Sequence, residues 1–153
     1  MSDSEEIVFA MGNYPARIPV DRLYSTNHLW LQADGDSYRV GLTAYSVRLL
    51  QDVYFLDWTV DAGSTVRHKQ EIGQIESSKA VSSLYAPAEG ELLEFNPLVL
   101  ADPSFINTAG YDKGWLYRLR STAAFLSPAD YLTHLAAGWE KTQNLLKGQV
   151  NEG

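Results

Sequence analysis

The sequence contains no cysteine and only two methionines among its 153 residues. Without cysteine, the chain cannot form a disulfide framework, a thiol nucleophile or a cysteine-ligated zinc site. Basic residues are also scarce, because 12 lysines and arginines stand against 19 acidic residues and leave a formal net charge of −7. Nucleic acids and anionic membranes attract clustered Lys and Arg, so we predict that the protein binds neither.

Long hydrophobic runs are missing as well. No segment approaches the roughly 20 consecutive apolar residues that a membrane-spanning helix needs. The first ten residues hold three acidic side chains and no Lys or Arg. This pattern is unlike a secretory signal or an organelle transit peptide, and we expect a cytoplasmic protein. The length and a hydrophobic share of 45% suit one globular domain without metal or disulfide support, which we expect to be a monomer.

The motifs of common enzyme sites are absent too. His28, His68 and His134 are scattered along the chain, and none shares a metal-ligand spacing with a carboxylate. The sequence has no Gly-x-Ser-x-Gly elbow, no Gly-x-x-x-x-Gly-Lys phosphate loop and no Gly-x-Gly-x-x-Gly fingerprint. We predict that the chain is not itself an enzyme and that its chemistry is carried by an attached group.

Short β-type segments dominate the chain between residues 23 and 120. They are rich in Val, Ile, Tyr and Trp and are separated by turn signals such as Asp34-Gly35-Asp36. Many short strands in one domain predict an all-β sandwich or barrel. The predicted strands are 29–31, 38–42, 53–58, 66–77, 84–86, 91–95 and 115–119.

Helical signals are fewer. Thr43 is placed to cap a short internal helix that ends near Leu50, with Tyr45, Leu49 and Leu50 on its inner side. A further helical turn is predicted at 98–101. Residues 1–22 contain two prolines and no clear hydrophobic period, so we predict an N-terminal tail there and the domain itself at 23–122.

Residues 123–153 are predicted to form a C-terminal helix packed on the domain. Ser127 and Pro128 are a typical helix start, with an acidic residue following at position 130. Gly148 is the predicted helix end. An apolar stripe at helical spacing indicates a face that docks on the protein's own core. Its members are Leu132, Leu135, Ala136, Trp139 and Leu146.

Lys79 stands out among the five lysines of the chain. It lies between two predicted strands and has only small side chains beside it, in the run Ser77-Ser78-Lys79-Ala80. Small neighbours would give a modifying enzyme access to the amine. From the residues alone, an ordinary surface lysine in a hairpin remains the competing interpretation.

Five blocks of the sequence resemble, in the same order, the motifs of the glycine-cleavage H-protein family. In that family a Glu-Ser-x-Lys-Ala run carries the lipoyl lysine and a Pro-x-x-Gly turn follows it. This chain has Glu76-Ser77-Ser78-Lys79-Ala80, and then Pro87 and Gly90 at that spacing. The blocks are 73–80 with 85–92, His28 with Trp30, 40–45, 96–97 and 111–116.

The resemblance implies a fold, a cofactor and partners. It implies an all-β barrel-sandwich hybrid with a short internal helix and a C-terminal helix, and a lipoyl group (lipoate in amide linkage) on Lys79, flanked by Glu76, Ser77, Ser78 and Ala80. It implies an aminomethyl group carried between glycine decarboxylase, an aminomethyltransferase and dihydrolipoyl dehydrogenase, after modification by a lipoate-attaching enzyme. Biotin carriers share the fold but place their lysine between methionines, whereas Ser78 and Ala80 flank Lys79 here.

Two departures from the family pattern concern the cleft in which the loaded arm is held. By the resemblance, its candidate residues are Asn27, His28, Leu29 and Ser83. The family has acidic residues where this chain has Leu29 and Ser83, and an ammonium group that leaves water needs a carboxylate partner. Two alternatives therefore stay open: an H-like lipoyl carrier of another pathway, such as lipoate-dependent sulfur oxidation, and an unmodified binding or regulatory module.

Overall fold

A computed structural model describes the backbone of residues 5–152 and the side chains of residues 5–142. The described chain is strand-rich, with short internal helices and a long C-terminal helix, as predicted. Its strands are β1 (Glu6–Met11), β2 (Tyr14–Pro19), β3 (Leu23–Tyr24), β4 (Leu29–Asp34), β5 (Ser37–Leu42), β6 (Val53–Trp58), β7 (Thr65–Val66), β8 (Glu71–Ser77), β9 (Val81–Tyr85), β10 (Gly90–Phe95) and β11 (Tyr117–Arg120). Its helices are α1 (Ala44–Leu50), α2 (Pro97–Ala101), α3 (Phe105–Thr108) and α4 (Pro128–Glu152).

The strands form three antiparallel sheets. A six-stranded sheet has the order β3-β4-β5-β11-β10-β7, a three-stranded sheet has the order β6-β8-β9, and β1 pairs with β2 alone. Gly35, in the left-handed conformation with φ 66°, closes the predicted turn between β4 and β5. The apolar faces of the two larger sheets bury a common core that includes Leu31, Val40, Ile75 and Leu92.

Trp30 belongs to a second buried cluster, which also includes Phe9, Ile18 and Tyr45. Its side chain is buried, and its indole Nε1 donates to the carbonyl of Gly110 at 2.9 Å. The ring lies directly over Gly41 on the neighbouring strand, where a Cβ atom would come within 2.5 Å of it. Glycine at position 41 is therefore required by the packing of Trp30.

The N-terminal segment is a β-hairpin, which corrects the prediction of a tail at 1–22. Strands β1 and β2 pair along their whole length around a turn at Gly12. Phe9 and Ile18 point inward, and Phe9 meets the rings of Tyr45 and Trp139 edge-on. The two prolines of this segment favoured a tail over a strand. They are tolerated in β2 because a two-stranded sheet has only edge strands, which accommodate proline.

The predicted long strand 66–77 is two strands. Lys69 has φ 70° and Gln70 N donates to the carbonyl of Arg67, so a turn separates β7 from β8. Strand β7 belongs to the six-stranded sheet, and strand β8 belongs to the three-stranded sheet. The chain passes from one sheet to the other at this turn. The break between the strands depends on tertiary structure and was not predictable from the local sequence pattern.

The predicted internal helices are present. Thr43 caps α1 by accepting a hydrogen bond from Ser46 N, and Tyr45 is buried as predicted. Leu50 packs against the core as predicted, whereas Leu49, also predicted to face inward, is exposed. Helix α2 matches the predicted turn, whereas α3 follows it without having been predicted.

The C-terminal helix begins where predicted. Ser127 Oγ accepts from Asp130 N at 3.1 Å, and Tyr131 and Leu135 are buried against the domain. The backbone stays helical past Gly148, which corrects its predicted role as the helix end. The predicted stripe member Leu146 lies outside the side chains that the structure describes. No helix within the described part is long and apolar enough to cross a membrane.

Candidate functional site

Lys79 lies in the tight turn that joins β8 to β9. The buried Ser77 organises this turn: its backbone N donates to the carbonyl of Ala80 at 3.0 Å, and its Oγ accepts from Lys79 N at 3.2 Å and from Ala80 N at 3.3 Å. Serine side chains stabilise turns in this way because they satisfy backbone donors that no ladder reaches. The turn backbone is thereby held in one conformation.

The turn around Lys79 is open to solvent. Ser78, Lys79 and Ala80 are all exposed, while Ser78 N donates to the carbonyl of Asp52 and fastens the turn to the start of β6. Lys79 takes part in no ion pair with any described residue. The result is an accessible primary amine on a fixed backbone.

An apolar surface adjoins this turn. Phe55 on β6, Glu76 on β8 and Val81 on β9 stand opposite one another across the three-stranded sheet. Tyr54, Phe55 and Val81 are 60%, 44% and 63% exposed, and we call these three residues the tip patch. The tip patch with Glu76 gives the lysine an apolar and acidic surround.

A cleft of about 330 Å³ lies beside the hairpin. Strand β9 is the edge strand of its sheet, so its unpaired side forms one wall. Ser82 is three residues beyond Lys79, so at a strand's rise per residue the cleft begins about 10 Å from the lysine. The cleft is lined by Asn27, Leu29, Leu42, Ser46, Leu49, Leu50, Ile75, Ser82, Ser83, Leu84 and Tyr85.

The chemistry of this lining is apolar and neutral. None of the described lining residues is Asp, Glu, Lys, Arg or His. A carboxylate does reach the rim, because Ser83 Oγ donates to Glu71 Oε1 at 3.1 Å. Glu71 also stands opposite Tyr85, another lining residue, in the β8–β9 register.

Three of the four cleft candidates come together here. Leu29 is 3% exposed and belongs to the core while one of its sides faces the cleft. Asn27 joins two walls, because its Nδ2 donates to the carbonyl of Tyr85 at 3.0 Å. Ser83 lies on β9 opposite Gln74. The structure thus places Asn27, Leu29 and Ser83 around one cavity.

His28 does not line the cleft. Its backbone has φ 70°, which turns its ring to the other side of the chain from Asn27 and Leu29. There Nδ1 is 3.0 Å from Tyr131 Oη, and the ring contacts those of Tyr45 and His134. Burial, and secondarily the electrostatic interaction with His134, lower the pKa of His28 to about 4. His28 is therefore neutral at neutral pH.

Several residues that line the cleft were not among the predicted site residues. Ser46 and Leu50 come from α1, Leu84 and Tyr85 from β9, and sequence pattern alone does not say that these two elements face each other. The spacing of Ser82 and Leu84 was the available signal. Residues two apart lie on the same face of a strand, and Leu84 marks that face of β9 as directed toward the core. No group of three or more His, Asp or Glu within the described part is arranged to hold a metal ion.

Comparison with known proteins shows the family of the chain. Residues 22–144 match the family "Glycine cleavage H-protein". The chain belongs to the glycine cleavage H-protein family. The glycine cleavage system H protein of Rubrobacter xylanophilus is 38% identical over 122 residues, which are 78% of this chain and 96% of that protein. That of Methylacidiphilum infernorum is 38% identical over 105 residues, 69% of this chain and 81% of the relative.

A solved structure agrees with the sequence relatives. The crystal structure of a glycine cleavage system H protein from Mycobacterium marinum superposes with a TM-score of 0.68 at 35% identity, covering 79% of this chain and 98% of that one. The predicted barrel-sandwich hybrid is thereby confirmed. The β1–β2 hairpin precedes the matched family range, so in this chain it is an addition to the family's common part.

Proposed function

We propose that this protein is a lipoyl carrier of the glycine-cleavage H type, with the lipoyl group on Lys79. The observation that carries the proposal is the exposed Lys79 amine on a fixed hairpin turn, about 10 Å from an apolar cleft, in a chain of this family. Glycine cleavage H-proteins are carriers, so we place the catalysis in partner enzymes. The cargo we propose is an aminomethyl group.

The residues present fit a lipoyl group. An amide bond needs an accessible amine, which the exposed Lys79 offers, and the small side chains of Ser78 and Ala80 leave room for an attaching enzyme. A hydrocarbon chain ending in a sulfur ring is apolar, and Leu29, Leu49 and Leu84 supply an apolar lining within reach. When attached, the group supplies a dithiolane that accepts and releases the cargo and undergoes redox change.

The residues of this chain position the attached group and present surfaces to the partner enzymes. Ser77 fixes the direction in which Lys79 leaves the sheet, so successive partner enzymes meet the same geometry. Asn27 and Ser83 offer polar groups at the mouth of an otherwise apolar cleft. The tip patch and Glu76 provide the contact surface that the partners share. Those partners are glycine decarboxylase, the aminomethyltransferase, dihydrolipoyl dehydrogenase and a lipoate-attaching enzyme.

Glu76 is proposed to be read by the attaching enzyme, because it is the acidic group nearest to Lys79 on β8. We expect Glu76→Ala to slow lipoylation by about tenfold, the cost of one charged contact. Initial rates of mass increase with a purified lipoate-attaching enzyme would measure this. The matched control is Asp57→Ala, which removes an acid from the same sheet but farther along β6. Equal rates for wild type and Glu76→Ala would remove Glu76 from the account.

A second candidate function rests on the neutral lining of the cleft. Leu29 and Ser83 offer no carboxylate to a carried ammonium group, which favours an H-like lipoyl carrier of another pathway, such as lipoate-dependent sulfur oxidation. In the glycine-cleavage interpretation the carboxylate comes instead from Glu71, presented at the rim by Ser83. The two candidates therefore differ in what Glu71 does.

Glu71→Gln separates the two candidates. If the cargo is an amine, we expect the variant to support glycine–bicarbonate exchange by glycine decarboxylase about tenfold more slowly than wild type, because a charged partner is lost. Glu89→Gln, an exposed acid outside the cleft lining, is the control. A lipoylated wild type that supports no exchange would instead favour the other pathway.

A further inference from the structure

Besides β9, two separate chain segments form walls of the cleft. One is the turn at 25–28 with the start of β4, which contributes Asn27 and Leu29. The other is α1, which contributes Ser46 and Leu50 and is capped by Thr43. The width of the cleft depends on how these two segments are held relative to each other. Beyond the β4–β5 ladder, in which Leu29 pairs with Leu42, one backbone hydrogen bond joins them, from Thr43 N to the carbonyl of His28 at 3.2 Å.

Tyr131, on the C-terminal helix, joins the same two segments through its side chain. Its hydroxyl is 3.0 Å from His28 Nδ1 and 2.9 Å from Thr43 Oγ1. Thr43 Oγ1 in turn accepts from Ser46 N, whose residue lines the cleft. A continuous chain of hydrogen bonds therefore runs from one wall to the other through a single phenol oxygen of the C-terminal helix.

The Tyr131 ring is held independently of this hydroxyl. It is fully buried and lies parallel to the ring of Tyr24, with the centroids 4.5 Å apart. Its backbone N donates to the carbonyl of Ser127 in the first turn of α4. Because stacking and the helix place the ring, removal of the oxygen alone leaves the ring where it is and cuts only the link between the walls.

We propose that Tyr131 is a positioning residue that fixes the distance between the two walls of the cleft. The effect on the attached group rests on the proposed function, since it requires a lipoyl group on Lys79. The effect on the walls does not. The C-terminal helix thus acts on the site although none of its described residues lines the cleft.

The test compares Tyr131→Phe with Tyr24→Phe. Both variants remove one hydroxyl from a buried, stacked ring, but the Tyr24 hydroxyl donates to the carbonyl of Pro19 and touches neither wall. In lipoylated protein, the rate of disulfide reduction by a small water-soluble phosphine is measured against free lipoamide. We expect wild type and Tyr24→Phe to protect the disulfide and Tyr131→Phe to be reduced about fivefold faster, as expected for one lost hydrogen bond.

A second readout works with or without the modification. Amide hydrogen exchange at Thr43 and Ser46 reports the wall contacts directly, and we expect it to accelerate in Tyr131→Phe and to stay at the wild-type rate in Tyr24→Phe. Equal exchange in both variants, or equal phosphine reduction, would overturn the role of Tyr131. Absence of a lipoyl mass on Lys79 would instead contradict the proposed function, and the exchange data would still decide the role of Tyr131.

Discussion

Replacing Lys79 with arginine is expected to abolish lipoylation and, with it, all support of the glycine-cleavage reaction. Arginine keeps the positive charge and a long side chain, but its guanidinium is not an amine that an attaching enzyme can acylate. The turn should be unaffected, because Ser77 organises it through backbone groups. Intact mass after incubation with the attaching enzyme and lipoate measures the modification, and glycine–bicarbonate exchange measures the function.

Lys69→Arg is the matched control for this change. Lys69 is also exposed and also lies in a turn at an end of β8, but it is ten residues from the proposed site. We expect this variant to be modified and active like wild type. A lipoyl mass on Lys79→Arg, or its loss from Lys69→Arg, would show that the proposed attachment site is wrong.

The second large effect concerns stability below neutral pH. The pKa of His28 is lowered from 6.5 to about 4 in the folded protein, so between these values the unfolded chain binds a proton that the folded protein does not. Above pH 6.5 His28 therefore does not lower the free energy of unfolding. This free energy falls as the pH drops through the range from 6.5 to 4. Between pH 7 and pH 5 the loss from this residue is about 2 kcal/mol.

His28→Asn should remove that dependence. Asparagine tolerates the left-handed backbone at position 28 and does not titrate, so the variant's free energy of unfolding should fall by about 2 kcal/mol less than that of wild type between pH 7 and pH 5. Urea denaturation at both pH values measures the difference. The control is His68→Asn, at an exposed histidine, which should retain the wild-type dependence. An identical dependence in wild type and His28→Asn would show that His28 is not held in its neutral form.

Much of this fold is predictable from local pattern. Strands such as β4, β5 and β6 alternate or run apolar between clear turn signals, and Thr43 and Ser127 cap helices by the same chemistry in isolation as in the protein. The Lys79 turn was also predictable, because small residues between two strands have few other arrangements. In each case the deciding interactions are close in sequence.

The elements that were predicted wrongly depend instead on interactions that are distant in sequence. The β1–β2 hairpin is stabilised by Phe9, which contacts α1 and α4 far along the chain, and by Ile18, which is buried in the same cluster. Two-stranded hairpins have little stability alone, so the local sequence gives a weak signal. The break between β7 and β8 likewise exists because the two strands belong to different sheets.

The candidate site was predicted as a set of positions rather than as a shape. Asn27, Leu29 and Ser83 do surround one cleft, but His28, between two of them, turns away because of its left-handed backbone. The roles proposed for Glu71 and Tyr131 depend on contacts across 12 and 88 residues of chain. Contacts of that separation follow from the packed structure and leave no periodic trace in the sequence.

The intact mass of the protein purified from its native host, followed by mapping of the modified peptide, shows directly whether Lys79 carries a lipoyl group. We expect one lipoyl group, located on Lys79. An unmodified Lys79 in a host that lipoylates its other carrier proteins would contradict the proposed attachment, and it would leave a binding or regulatory module as the function of this fold.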